Sequence, residues 1–447
     1  MANTSISFTP GSAGNLNQWT ISLWLKRANL GVEQVIASCY ENSNYQTQIK
    51  FTSDDELYFN DENNGNTNGR IVSTANFRDP TAWMNLVFVW DKDNGTAGDK
   101  LRMYANGTRI TSFSDTGNVP STSSTWNVNG QAMQFGAKVT SDYFEGCMSH
   151  IHFCDGYAYA PSDFGEIDSA TGEWKIITNP SVSYGTNGYF ILKNSNSVTD
   201  ESPNSNNFSV ASGTLTNTED CPSSIYSTFN TLEYWGMNGA TIANGATTLS
   251  TASAGHRYLR STLQANKGKF YAEFKIASTS GAGSDIIGIT DHEMVDGSDE
   301  LSQDADSIGY VNDGSVRKDG SNIDTGEATY TTGDIIGVAM DLDNSKIYFH
   351  KNGTYINSGD PSAGTNGYSF DAVNTTATGF YAFAAGDWVG NAGGTYSANF
   401  GNGYFGTTQI TSEGTNASNE GKFEYDVPTN YTSLSTKGLN IKWLSRQ

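Results

Sequence analysis

The sequence predicts an all-β protein made of two antiparallel β-sandwich domains in tandem. Three observations carry this. The chain of 447 residues holds 48 Gly and 12% aromatic residues, with many short apolar runs cut by turn residues, the composition of strands and tight turns. Long stretches of helical period are nearly absent. And one β-meander is written twice. Residues 85–110 read NLVFVWDKDNGTAGDKLRMYANGTRI, and residues 333–356 read GDIIGVAMDLDNSKIYFHKNGTYI. Each has an apolar strand, an acidic turn, a second strand and a closing Asn-Gly. Asn-Gly suits a type I′ hairpin, whose two central residues both need positive φ. A prior of about 150 residues per domain allows two or three domains, or two large sandwiches.

In chain order, residues 1–165 form the first domain. Ile6 and Phe8 alternate, and residues 19–25 are a strong period-2 strand. Trp19, Ile21 and Leu23 share one face of it, with Trp24 on the other. Further strands are expected at 34–38, 48–52, 56–60, 83–90, 101–109, 132–137 and 146–153, with a Gly/Asn loop at 61–70. Residues 166–230 are a polar connector with one strand at 189–192. It is too long for a simple linker and is expected to wrap the first domain. Residues 231–405 are the second domain, with strands at 268–276, 286–290, 307–312, 379–385 and 396–400 besides the meander. Residues 406–447 read as an extended strap, with Val427, Pro428 and Leu434 packed on the second domain. Ile441, Trp443 and Leu444 form a small apolar patch, either core or a contact to another subunit.

The phrases WTISLWLKR (19–27), WMNLVFVWD (83–91), LRMYANGTRI (101–110) and FGAKVTSDYFEGCMSHIHFCDGYAYAP (135–161) resemble the laminin-G-like, concanavalin-A-like jellyroll family. The order GKFYAEFKI, IIGIT, SIGYV, GDIIGVAMDLDNSKIYFHKNG, FYAFAAG, SANFG resembles a SPRY domain, itself a two-sheet sandwich. The fold these resemblances imply is two concanavalin-A-like antiparallel β-sandwich (jellyroll) domains in tandem. The run DFGEIDSATGEW with YGTNGYF, the opening FTPGSAGN with WTISLWLKR, and KFEYDVPTNYTSLSTKGLN are similar to bacteriophage virion proteins that pair these two domains.

Charge narrows the partners. There are 25 Lys and Arg against 47 Asp and Glu, a net charge of −22. That argues against nucleic acid, which needs clustered cations. No apolar run of about 18 residues offers a membrane span, and residues 1–15 show no secretory signal pattern. Cys39, Cys147, Cys154 and Cys221 have no metal-ligand spacing and read as free, buried thiols.

Catalysis finds little support. Glu166 and Asp168 tempt as the paired carboxylates of a glycosidase on this fold, but a turn follows and carries Glu173 off the strand. His150 and His152 share a strand face without a third ligand, so an ordinary sheet position is favoured over a metal pair. No cofactor is expected, with calcium the alternative. Asp91, Asp93 and Asp99, with Asp341, Asp343 and Asn344, offer hard oxygens at turns, although such residues cap turns for their own sake. Candidate ligand-binding residues lie between strands of the second domain: Asp291, His292, Asn312, Asp313, Arg317, Asp387 and Trp388. In SPRY relatives such loops bind, and residues 61–70 are the counterpart in the first domain. Binding is expected there and not on the hairpin of 333–356.

The expected function is that of a non-enzymatic bacteriophage virion surface protein. It would be a tail-fibre tip or adsorption appendage binding a host surface glycan or protein. It would be made in the bacterial cytoplasm, beside other virion proteins, and a homotrimer is compatible with that role. One alternative is a structural head-decoration or tail component contacting other virion proteins. Another is a glycan-degrading enzyme on a lectin-like fold.

Overall fold

The computed structural model describes residues 3–444 except 170, 252–255, 282, 293, 297–298, 304–305 and 388–392. The chain divides into two compact units, Met1–Asn217 and Thr218–Gln447. The first unit therefore extends well into the expected connector, and residues 218–230 fall with the second unit.

In the first unit the strands run β1 (Ser5–Phe8), β2 (Gln18–Arg27), β3 (Gln34–Asn42), β4 (Tyr45–Phe51), β5 (Glu56–Asn63), β6 (Asn66–Asn76), β7 (Met84–Asp91), β8 (Leu101–Ala105), β9 (Thr108–Arg109), β10 (Phe113–Thr116), β11 (Met133–Phe135), β12 (Gly146–Asp155), β13 (Gly165–Ile167), β14 (Trp174–Ile176), β15 (Tyr189–Ile191) and β16 (Ser209–Ser212). Among the described residues one sheet has the order β10-β6-β5-β4-β3-β11-β1-β16 and a second the order β15-β12-β2-β7-β8-β9. The connector thus supplies a strand to each sheet. Alternation sorts β2 and β7. Trp19, Ile21, Leu23, Leu86, Phe88 and Trp90 enter the common core with Trp126 and Phe153. Val87 and Val89 face outward, where Cys154 and Phe164 meet them, with Tyr159, Val182 and Tyr184 packed alongside. Residues 158–164 and 182–184 therefore cover the outer face of this sheet.

The expected loop at 61–70 is instead a hairpin. β5 and β6 run almost to its tip, and Asn64 (φ 55°) and Gly65 (φ 71°) make the turn. Asp61 explains the extra strand length: it is fully buried, and accepts hydrogen bonds from Thr47 Oγ1, Ser124 Oγ, Thr125 N and Asn68 Nδ2.

The second unit holds α1 (Tyr234–Met237), β17 (Thr241–Ala243), β18 (Thr248–Ser250), β19 (Arg257–Arg260), β20 (Lys269–Ser278), β21 (Asp285–Thr290), β22 (Ser307–Val311), β23 (Val316–Lys318), β24 (Ser321–Asp324), β25 (Ile335–Asp341), β26 (Lys346–Lys351), β27 (Thr354–Tyr355), β28 (Tyr368–Ser369), β29 (Ala382–Asp387), β30 (Thr395–Asn399), β31 (Tyr404–Phe405), β32 (Thr408–Gln409), β33 (Thr432–Ser433) and α2 (Thr436–Leu444). Its larger sheet has the order β17-β18-β30-β20-β25-β26-β27, with β28 on β26 and β33 on β20; the facing sheet is β19-β29-β21-β22-β23-β24. Phe270, Phe274, Ile336, Val338, Ile347 and Phe349 are buried between the sheets. Tyr271, Ala339 and Tyr348 point the other way and are covered by Phe423, Val427 and Tyr431 of the strap. The strap then departs from the extended reading and ends in α2. Ile441 is part-exposed there, while the side chains of Trp443 and Leu444 lie outside the described residues.

The repeated meander is one structure built twice. Asn106 Oδ1 accepts from Asn85 N at 2.8 Å, and Asn352 Oδ1 accepts from Ile335 N at 2.8 Å. Both Asn-Gly pairs have positive φ throughout: 46° and 76° at Asn106-Gly107, 49° and 82° at Asn352-Gly353. At the acidic turns Asn94 Nδ2 donates to Asp91 at 2.9 Å and Asn344 Nδ2 to Asp341 at 2.8 Å. Each turn glycine also carries an aromatic ring from the covering segment. A Cβ at Gly107 would meet the Trp174 ring at 2.5 Å, and one at Gly353 would meet Tyr425 at 2.8 Å.

Gly107→Ala is expected to lower stability by about 2 kcal/mol, combining the left-handed backbone penalty with displacement of Trp174. Gly95→Ala, at a glycine with nothing within 4 Å, should change stability by under about 0.5 kcal/mol. Equal losses in urea unfolding would show that the ring contact contributes nothing.

Candidate functional site

Beneath the second Asn-Gly turn a row of residues crosses four strands in register: Asn399, Glu273, Gly337 and His350. All face the strap. Gly337 has no side chain because the His350 ring lies over it; a Cβ there would sit 1.9 Å from Nε2. His350 Nδ1 accepts from Gly353 N at 3.1 Å, so its proton sits on Nε2, 2.7 Å from the Tyr271 hydroxyl. Tyr271 in turn donates to Glu273 at 3.0 Å. Glu273 is fully buried and also accepts from Tyr425 N at 2.8 Å, Glu424 N at 2.9 Å and Asn399 Nδ2 at 3.2 Å. The chain of bonds ties the hairpin turn to the strap. Burial sets both titrations. It drops His350 to about 3, and it pushes Glu273 up to about 7 against the four donors that favour its charge.

Beside the same turn lies a cleft of about 340 Å³, lined by Glu327, Ala328, Lys351, Asn352, Thr354, Tyr355 and Ile356. Lys351 Nζ donates to Thr329 O at 2.7 Å and pairs with Asp334 at 3.2 Å. Asn352 Nδ2 donates to Asp334 at 2.7 Å. Glu327 Oε1 accepts from Asn357 N at 3.0 Å. The Tyr355 ring packs edge-on to His350 at 5.2 Å. The hairpin signature accounts for Lys351 to Ile356 as structure, and nothing local in the sequence ties Glu327 to them.

Several loop candidates turn out to be internal. Asp291 is fully buried; Thr378 N donates to it at 2.9 Å, and Arg260 donates to its carbonyl at 3.1 Å. Asn312 is buried as well, donating to Asp285 and to Gly281 O, both at 2.7 Å, and accepting from Ser284 N at 2.9 Å. Asp387 is buried against the Thr251 hydroxyl, and burial pushes its carboxyl up to about 6. These three close loops from within, so they are not the exposed rim the sequence suggested. Asp313 is exposed and caps its own turn, accepting from Ser315 N at 2.9 Å. Arg317 is half-buried beside Glu300 at 3.5 Å and donates to Gly320 O at 3.2 Å; His292 is half-buried too. Trp388 lies outside the described residues.

The calcium candidates are engaged by their own turns. Asp91 accepts from Gln18 Nε2 at 3.0 Å besides Asn94, Asp93 pairs with Lys92, and Asp99 pairs with Arg109 at 2.7 Å. Asp341 pairs with Lys269 at 2.8 Å. Among the described residues no group of three His, Cys, Asp or Glu is placed to hold a metal. Glu166 and Asp168 sit on the small β13–β14 hairpin, both 3.3 Å from Lys175. His150 (φ 47°) forms a bulge, and its Nδ1 meets Ser149 Oγ at 2.7 Å. His152 is buried, bonded to the Tyr184 hydroxyl at 2.9 Å and stacked on Phe190 at 3.9 Å. The bulge breaks the shared face that i, i+2 spacing implies. Cys39 and Cys154 are buried thiols, as expected, whereas Cys147 and Cys221 are half-buried.

Residues 2–159 match the concanavalin A-like lectin/glucanases superfamily, in its laminin-G form, and residues 269–402 match the SPRY domain. Among solved structures, the SPRY domain of human HERC1 is 17% identical, covering 38% of this chain and 96% of its own, with a TM-score of 0.31. The native heptameric SAP-like pentraxin from Limulus polyphemus is 17% identical, covering 48% of this chain and 90% of its own, with a TM-score of 0.29. A search of curated proteins finds no match. The chain carries a laminin-G-like and a SPRY domain in tandem.

The buried row makes a signed pH prediction. His350 titrates in the fold below its ordinary 6.5, so its contribution is full above that value and is lost as pH falls towards 3. Glu273 titrates above its ordinary 4.5, so its contribution is full below that value and is lost as pH rises through 7. The two oppose each other between those ordinary values. Glu273→Gln should therefore make the rise in stability between pH 4.5 and 6.5 steeper than in the wild type. It should also cost about 3 kcal/mol, since an amide sets its own N–H groups against buried donors. Urea unfolding across that range checks both; an unchanged slope would refute the assignment.

Proposed function

We propose that this tandem of a laminin-G-like and a SPRY domain is a non-enzymatic surface protein of a bacteriophage virion. It binds a glycan or protein on the host cell, as a tail-fibre tip or adsorption appendage. The observation that carries the reading is a cover over one sheet of each sandwich. In both domains a chain segment outside the meander covers the outward sheet face, at Phe164 and Tyr184 in the first and at Phe423 and Tyr431 in the second. With these two flat faces closed, the turns and clefts beside them are places for recognition, which suits a discrete ligand. The phage assignment is supported by the virion-protein phrasing at 5–27, 163–190 and 421–440. The net charge of −22 suits a displayed, soluble surface and disfavours a nucleic-acid partner.

Purified protein is expected to bind host cells and to compete with particle adsorption, and antibody against it should label the particle's tail. Labelling of the head shell together with no cell binding would favour a structural decoration role.

A further inference from the structure

We propose that the cleft beside the second Asn-Gly turn is a saccharide subsite, taking a neutral or amino-bearing sugar and rejecting acidic ones. The inference rests on the binding reading above and names the site and ligand chemistry within it.

The cleft volume of about 340 Å³ is at the lower end of the roughly 300–1,000 Å³ typical of small-molecule sites. One wall is apolar, from the Tyr355 ring and Ile356. An aromatic face of this kind takes the C–H face of a sugar ring. The polar groups divide into engaged and open. The cation and the amide are engaged: Lys351 with Thr329 O and Asp334, Asn352 with Asp334 and Ile335 N. Two groups are open among the described residues. Glu327 uses Oε1 for Asn357 N–H and leaves Oε2 without a partner. Thr354 is exposed, with its hydroxyl unengaged. The Tyr355 hydroxyl is buried on the strap side without a hydrogen-bond partner, so the residue contributes its ring and not its oxygen.

The open set is therefore one carboxylate oxygen and one hydroxyl. It accepts hydrogen bonds from sugar hydroxyls and attracts an ammonium group. A carboxylate or sulfate on the ligand would face Glu327 with Lys351 already neutralised by Asp334. Like charges brought together in a partly desolvated cleft disfavour binding.

The test is saturation-transfer NMR of the full chain with methyl glucoside, methyl glucosaminide and methyl glucuronide. Wild type should bind the first two, the glucosaminide more tightly, and the glucuronide roughly tenfold or more weakly, the scale of one charged hydrogen bond. Glu327→Gln keeps the oxygen that accepts Asn357 N–H and removes the charge. It should abolish the preference for the amino sugar while retaining the glucoside. Thr354→Val should weaken both, and both variants should melt as wild type does. Glucuronide binding as strong as the others, or a preference unchanged by Glu327→Gln, would overturn the proposal. So would the absence of any sugar signal. Host-cell binding by the same variants separates the two levels: binding retained by both variants removes this site and leaves the general reading intact. Absence of cell binding by the wild type removes both.

Discussion

A turn glycine under an aromatic ring is the contact on which both domains depend. Asn-Gly closes the meander because both residues must take positive φ. Glycine does more than permit the turn. Its missing side chain leaves a flat seat, which Trp174 occupies at Gly107 and Tyr425 at Gly353. Each ring comes from the segment that covers the sheet. The hairpin thus fixes strand register on one side and positions the cover on the other. A third glycine, Gly337, extends the logic inward by letting the His350 ring lie over β25.

Buried carboxylates complete what the sheets leave open. Long irregular covers bring backbone N–H groups indoors, where each needs a partner. Asp155 accepts from Asn15 N at 2.7 Å and Asn187 N at 3.0 Å; Asp200 accepts from Phe190 N and Asn206 N, both at 2.8 Å. Glu420 gathers Ser224, Tyr226 and Ser435 at 2.7, 2.9 and 3.1 Å. Glu273 serves the strap in the same way. A carboxylate offers several acceptor sites and no donor, so one side chain can close a loop from both ends. The acidity of this chain is thus partly internal architecture, not only surface.

The fold was legible because its signals are local. Period-2 alternation placed Trp19, Ile21 and Leu23 on one face, and the duplicated meander announced the shared architecture. The loops were not legible. Asp291, Asn312 and Asp387 look like rim ligands in sequence, since an Asp or Asn between strands is written identically whether it faces water or a buried N–H. The same ambiguity hid the length of β5 and β6, where Asp61 draws Thr47, Asn68 and Thr125 together from distant positions. The cleft was missed for the opposite reason: Glu327 and Tyr355 converge only after the chain has folded back through β25 and β26.

The covers differ in when they arrive. In the first sandwich residues 158–164 and 182–184 precede β15 and β16, so sheet and cover finish together. In the second, Phe423, Val427 and Tyr431 follow every strand of the two facing sheets except β33. A chain emerging from the ribosome can complete the first sandwich while Tyr271, Ala339 and Tyr348 of the second still present an uncovered apolar face. That interval is when partial chains would be most prone to associate, and it lasts until the final strap has been synthesised.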